Sequence, residues 1–108
     1  MAHTNQPYYD LTIHSSTDDW TDHEVISFTG LTYEAVLAKA KAHNIDITDT
    51  AKWFITLWYR IDNETYEVLT WCHQYMVDGT LKWEGKIDLD SDPVPYMLAQ
   101  KAEDEKVA

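Results

Sequence analysis

The sequence predicts an α+β fold: a mainly antiparallel sheet of about five strands, one principal helix packed on one face, and a short C-terminal helix. Three patterns carry this expectation. Tyr8 to His14 and the stretch from Trp53 to Leu89 alternate with period two, as half-buried strands do. Thr32 to Asn44 holds a helix-period apolar stripe between a cap and a stop signal. Asp62 to Thr65 and Asp78-Gly79 punctuate the long β region as turns. A chain of 108 residues is expected to form one domain over 1–108, since two cores would each be too small to fold unaided. The last few residues are expected to fray.

In chain order, Tyr9, Leu11 and Ile13 take one side of the first strand, and Tyr8, Asp10, Thr12 and His14 the other. Ser15 to Asp22 is polar and reads as a loop, followed by a second strand from His23 to Phe28. Thr32 is the expected N-cap, with Leu31 stapling against Val36. Tyr33, Val36, Leu37 and Ala40 form the apolar stripe, and Asn44 ends the helix in a left-handed conformation. Three further strands are expected at Trp53 to Ile61, Tyr66 to Val77 and Thr80 to Leu89.

The turns set a register. A two-residue loop at Asp78-Gly79 pairs Val77 with Thr80, Met76 with Leu81, Gln74 with Trp83 and Thr70 with Ile87. A four-residue loop at 62–65 pairs Ile61 with Tyr66, Tyr59 with Val68 and Ile55 with Cys72. Both place the apolar rows on one face, under the helix. The opposite face then carries Phe54, Trp58, Trp71 and Tyr75, with Arg60 opposite Glu67, which is too aromatic for a face left in water. After Leu89, Val94 stands before a proline, so the last helix is expected over Tyr96 to Asp104 with Met97 and Leu98 inward.

Charge limits the function classes. The chain carries 19 Asp+Glu against 8 Lys+Arg, a net charge of −11. Residues 1–51 hold −6, residues 52–86 hold −1 and residues 87–108 hold −4, so the acidity flanks a nearly neutral, aromatic central block. Such a field repels nucleic acid and anionic membrane and attracts basic protein surfaces. Cys72 is alone, so no intrachain disulfide forms, and no apolar stretch follows Met1 as in a secretory signal. The longest apolar stretch, Trp53 to Tyr59, is far short of the roughly 20 residues of a membrane helix. A soluble, cytoplasmic protein is expected.

No motif fixes a reaction. Asp88, Asp90 and Asp92 open like an EF-hand loop, but Pro93 stands where Gly is needed and Ala99 where a bidentate Glu is needed. His14, Asp18, Asp19, Asp22, His23 and Glu24 crowd together without metal-ligand spacing. Cys72 and His73 point to opposite faces if they lie on a strand, so they form no dyad, and Cys72 reads as a small core residue. Neither a cofactor, a metal nor an enzymatic activity is expected.

What remains is an interaction protein. The candidate contacts to a basic protein surface are Asp18, Asp19, Asp22 and Glu24 in one cluster and Asp88, Asp90 and Asp92 in another. If that surface ordinarily holds DNA or RNA, the chain acts as a nucleic-acid mimic that inhibits a nuclease. Small acidic inhibitors of the anti-restriction and anti-CRISPR kinds share this general character. The alternative is a homodimer or ligand-binding module working through the aromatic face of Phe54, Trp58, Trp71 and Tyr75, on which rings could stack.

Overall fold

The computed structural model describes residues 6–15, 25–49 and 53–107. It is an α+β fold with one six-stranded antiparallel sheet and two helices. The strands are β1 (Tyr8–Ser15), β2 (Val25–Gly30), β3 (Trp53–Ile61), β4 (Glu64–Leu69), β5 (Gln74–Val77) and β6 (Thr80–Glu84). Helix α1 (Tyr33–Ala42) connects β2 to β3, and α2 (Val94–Val107) ends the chain. The sheet order is β2-β1-β3-β4-β5-β6, which makes β3 and β4 the central pair and β2 and β6 the edges. Among the described residues no helix is long and apolar enough to cross a membrane.

Period-two patterning explains the core. Tyr9, Leu11 and Ile13 face Tyr59, Leu57 and Ile55 across the β1–β3 ladder, and Tyr66 and Val68 continue the row onto β4. All but the half-buried Tyr59 are buried, and Tyr33, Val36 and Ala40 of α1 close over this face. The cap reading of α1 holds at both ends. Thr32 Oγ1 accepts the Ala35 amide at 3.1 Å, and Asn44 adopts φ 59°. The Ile45 and Asn44 amides return to the carbonyls of Ala40 and Lys41, a Schellman closure that buries Ile45. Leu31 does not staple: it is 60% exposed. Gly30 lets the helix sit close, since a Cβ there would lie 3.0 Å from Ala35 Cβ.

Two turns differ from expectation. The β3–β4 loop is Asp62-Asn63 alone, so Ile61 pairs with Glu64 and Tyr59 with Tyr66. The shift is two residues, which preserves the face of every side chain. The larger departure lies within the expected strand from Tyr66 to Val77. Thr70–Cys72 form a 3₁₀ turn, His73 takes φ 53°, and β5 folds back antiparallel on β4 with Leu69 opposite Gln74. Thr70 caps the break. Its hydroxyl donates to the Ile55 carbonyl and accepts the Ile55 amide, both at 3.0 Å, standing in for the ladder partner that β4 no longer supplies.

This turn changes which face the following residues occupy. Tyr75 pairs with Val68 and is buried on the helix side, against Tyr96 of α2 with ring centroids 5.3 Å apart. Tyr75 therefore does not belong to the opposite aromatic face, and Cys72 sits half-buried on the turn with its thiol donating to Gln74 Oε1 at 3.4 Å. The Asp78-Gly79 turn pairs Val77 with Thr80 and Met76 with Leu81 as the sequence predicts, with φ of 51° and 77° at its two central residues. A bulge then sets Tyr75 opposite Trp83 and Gln74 opposite Glu84, so Gln74 does not meet Trp83 and Thr70 does not reach Ile87.

β6 stops at Glu84. The segment beyond it bends at Gly85, turns at Leu89-Asp90 and lies outside the ladder, with Ile87 and Leu89 buried and Asp88 and Asp90 exposed. Helix α2 begins at Val94, one residue before Pro95, where the ring's missing amide costs nothing because the first amides of a helix have no internal partner. Asp92 Oδ1 accepts the Val94 amide at 3.0 Å. Met97 and Val94 are buried against the sheet, whereas Leu98 is exposed. Lys101 clamps α2 to the sheet through Glu64 and lies over the Tyr66 ring. Both helices thus cover the same face.

Candidate functional site

Helix α1 and the segment leading into α2 flank a cleft of about 710 Å³ on the helix side of the sheet. Its floor is tyrosine. Tyr9 of β1 lies 4.9 Å from the Tyr59 ring and 6.2 Å from the Tyr33 ring, centroid to centroid. Glu34, Asp90 and Asp92 line it together with Leu31 and Leu37, and the lining contains no Lys or Arg. A second depression of about 550 Å³ continues beyond Leu37 and Asp90 to Asp46, with Lys41 on its border.

Hydrogen bonds hold this end together. The Tyr33 hydroxyl donates to the Leu89 carbonyl, and the Tyr9 hydroxyl donates to Asp92 Oδ2. These two phenols fix the 85–93 segment across the fold, and with it the directions of its carboxylates. Asp88 Oδ1 accepts the Asp90 amide at 3.0 Å, and Asp46 Oδ1 accepts both the Thr48 amide at 3.0 Å and the Thr48 hydroxyl at 2.6 Å.

The local field is strongly negative. Asp90 is held above the usual carboxylate range, first by the charge of Asp88 and more weakly by that of Asp46. Asp46 is held below that range, chiefly by its bonds to Thr48. The phenols of Tyr9 and Tyr33 are raised, first by burial and then by the carboxylates, Asp92 for both and also Asp90 and Asp88 for Tyr33. Among the described residues the ion pairs are those of Lys101 with Glu64 and Glu105, and none reaches Asp88 or Asp90.

The sequence-derived candidates separate into distinct groups here. Asp18, Asp19, Asp22 and Glu24 lie outside the described residues. Asp88 and Asp90 are exposed, and Asp90 lines both clefts, but Asp92 is half-buried and engaged by Tyr9 and Val94. Glu34 and Asp46 join Asp88 and Asp90 from distant parts of the chain. That convergence is tertiary, and no local spacing in the sequence announces it. The tyrosine floor is equally unannounced, because Tyr9, Tyr33 and Tyr59 each read simply as core positions. Among the described residues no group of three or more His, Cys, Asp or Glu side chains is arranged to hold a metal ion.

The other candidate surface is the face of the sheet opposite the helices. Phe54 and Trp58 lie on it, and Trp71 stands at its end on the 3₁₀ turn, 50% exposed and 6.4 Å from the Phe54 ring. Trp58, not Arg60, is opposite Glu67; Arg60 pairs with Thr65. Comparison of the chain with known protein families, curated proteins and solved structures finds no match in any of the three.

Proposed function

We propose that this chain is a non-enzymatic interaction protein that docks its acidic end on a basic surface of another protein. Asp88 and Asp90 are the contact carboxylates, supported by Glu34 and Asp46, and the tyrosine-floored cleft receives a Lys or Arg side chain of the partner. The observation that carries this reading is a concave, aromatic site whose lining holds carboxylates and no base, in a field strong enough to resist the ionisation of Asp90. Carboxylates offer two acceptor oxygens to a guanidinium, and phenol rings offer their faces to the same cation. Where the basic surface is the nucleic-acid groove of a nuclease, the protein acts as a nucleic-acid mimic, an inhibitor of the anti-restriction or anti-CRISPR type.

The reading is tested by titrating the protein with a short Arg-rich peptide and mapping amide chemical shifts. Binding is expected to shift residues around Tyr9, Tyr33, Tyr59 and Asp90 and to weaken steeply between about 0.05 and 0.2 M salt. Reversing Asp88 and Asp90 to Lys should abolish it. Shifts centred instead on the Asp104 end of α2, or an affinity indifferent to the reversal, would overturn the proposal.

A further inference from the structure

We infer that the outer edge of β2 is a contact surface for a second copy of this chain, joined strand to strand. Backbone groups in a strand alternate between its two neighbours, so one fixed point sets their direction throughout an antiparallel sheet. The fixed point is Ile55, whose amide and carbonyl both reach the Thr70 hydroxyl on the β4 side. Thr56 therefore bonds toward β1, where its partner is Thr12, and Leu11 and Ile13 are left to bond toward β2. Their partners Phe28 and Ile26 bond inward, which turns the amides and carbonyls of Val25, Ser27 and Thr29 to the outer side. Lys39 checks this assignment independently: its ammonium donates to the Thr29 carbonyl, a group that the alternation leaves outside the ladder. Among the described residues no strand pairs with this side of β2, and Ser27 and Thr29 are exposed.

The two edges of the sheet differ. Edge strands are ordinarily blunted by charged side chains, proline or a bulge. β6 carries Lys82 and Glu84, and its pairing with β5 is interrupted by a bulge. β2 has none of these devices: its six residues keep an unbroken register with β1 and include no proline and no charged side chain.

Self-complementarity selects the occupant. Antiparallel pairing about a two-fold axis at Ser27 sets Ser27 opposite its own copy, exchanging both N–H···O bonds, and Val25 opposite Thr29. This register engages every outward residue of both strands, and any other leaves one of them unpaired. A carbonyl has a second lone pair, so Lys39 keeps its bond to Thr29. Ile26, only partly buried in one copy, then lies beside Phe28 of the other on the helix face, apolar against apolar. The α1 side chains touching β2 include Lys39 and His43, the latter 5.0 Å from the Phe28 ring. Two chains of net charge −11 thus meet along strands that carry no carboxylate.

Sedimentation and amide hydrogen exchange of the full chain under reducing conditions, over a range of protein concentrations, test the inference. The wild-type chain should form a dimer as concentration rises. The Ser27 and Thr29 amides should pass from fast to slow exchange with it, while those of Ile26 and Phe28 stay slow throughout. S27P removes an outward amide and no bond to β1, so it should keep native circular dichroism and raise the dissociation constant at least about tenfold. S27K opposes two ammonium groups across the axis and should also weaken the dimer. A monomer at every concentration, a dimer in which Ser27 and Thr29 exchange as fast as in dilute samples, or a dimer indifferent to S27K would overturn the inference. The exchange readout needs no substitution, so it decides the matter even where S27P does not fold.

Discussion

Thr70→Val removes one hydroxyl that performs two tasks, and its cost can be worked from the structure. In the native chain that hydroxyl donates to the carbonyl of Ile55 and accepts its amide, at 3.0 Å each, in the interior where β4 breaks away from β3. Valine fills the same volume but leaves both backbone groups unpaired. A buried group left without a partner costs about 1–3 kcal/mol, so the substitution should cost about 3 kcal/mol once some relaxation is allowed. For a domain of this size that corresponds to a fall in melting temperature of roughly 10–20 °C. Thr70→Ser is the control: it keeps the hydroxyl and loses one methyl group, worth about 0.8 kcal/mol. Denaturant and thermal unfolding of the three proteins would measure both. If valine is tolerated within about 0.5 kcal/mol, or serine costs as much as valine, the hydroxyl does not hold the turn.

Three other outcomes follow from the same contacts. Asp88→Asn should lower the carboxyl pKa of Asp90, since the charge of Asp88 is the first cause of its elevation; side-chain NMR titration would measure the change, and an unmoved Asp90 would contradict it. Stability should fall as pH rises above about 10: below it the phenols are protonated in both states, and above it the unfolded tyrosines ionise while Tyr9 and Tyr33 stay neutral in the fold. Each such phenol removes about 1.4 kcal/mol per pH unit, so Tyr9→Phe should flatten the alkaline limb of the stability curve by about that slope. Gly30→Ala sets a methyl 3.0 Å from Ala35 Cβ and 3.2 Å from Val36 Cγ1, which should push α1 outward and cost about 1–3 kcal/mol by denaturant unfolding.

Elements governed by local chemistry were legible in the sequence. Thr32 capped α1 and Asn44 ended it because a hydroxyl acceptor and a left-handed residue act within one turn of their own positions. The alternation at Tyr9, Leu11 and Ile13 and at Ile55 and Leu57 identified the buried face, and the two-residue error in the β3–β4 loop did no harm to it. The Thr70 to His73 turn was not legible: it contains neither Gly nor Pro, and a histidine occupies its left-handed position. The one available signal was a change of phase, because buried positions pass from even at Tyr66 and Val68 to odd at Tyr75 and Val77. Missing it put Tyr75 on the wrong face.

The candidate site was less legible still. Asp88 and Asp90 stood out by spacing, but Asp92 stood out equally, and only the tertiary bond from Tyr9, 83 residues away, separates it from them. Glu34 and Asp46 carry no local mark of their convergence on Asp90. Asp10 read as an ordinary solvent position on a half-buried strand, although in the sheet it stands beside Trp58 with an unpaired oxygen.

Docking by the acidic end is tested most directly by affinity capture from the native host at physiological and high salt, with the wild-type chain beside D88K/D90K. Screening lengths fall from about 8 Å at 0.15 M to about 3 Å at 1 M, so a partner held by these carboxylates should elute as the salt is raised. The account predicts a basic protein that binds the wild-type chain, elutes at high salt and is not retained by the reversed variant. A partner retained equally by both chains, or held unchanged at 1 M salt, would contradict it.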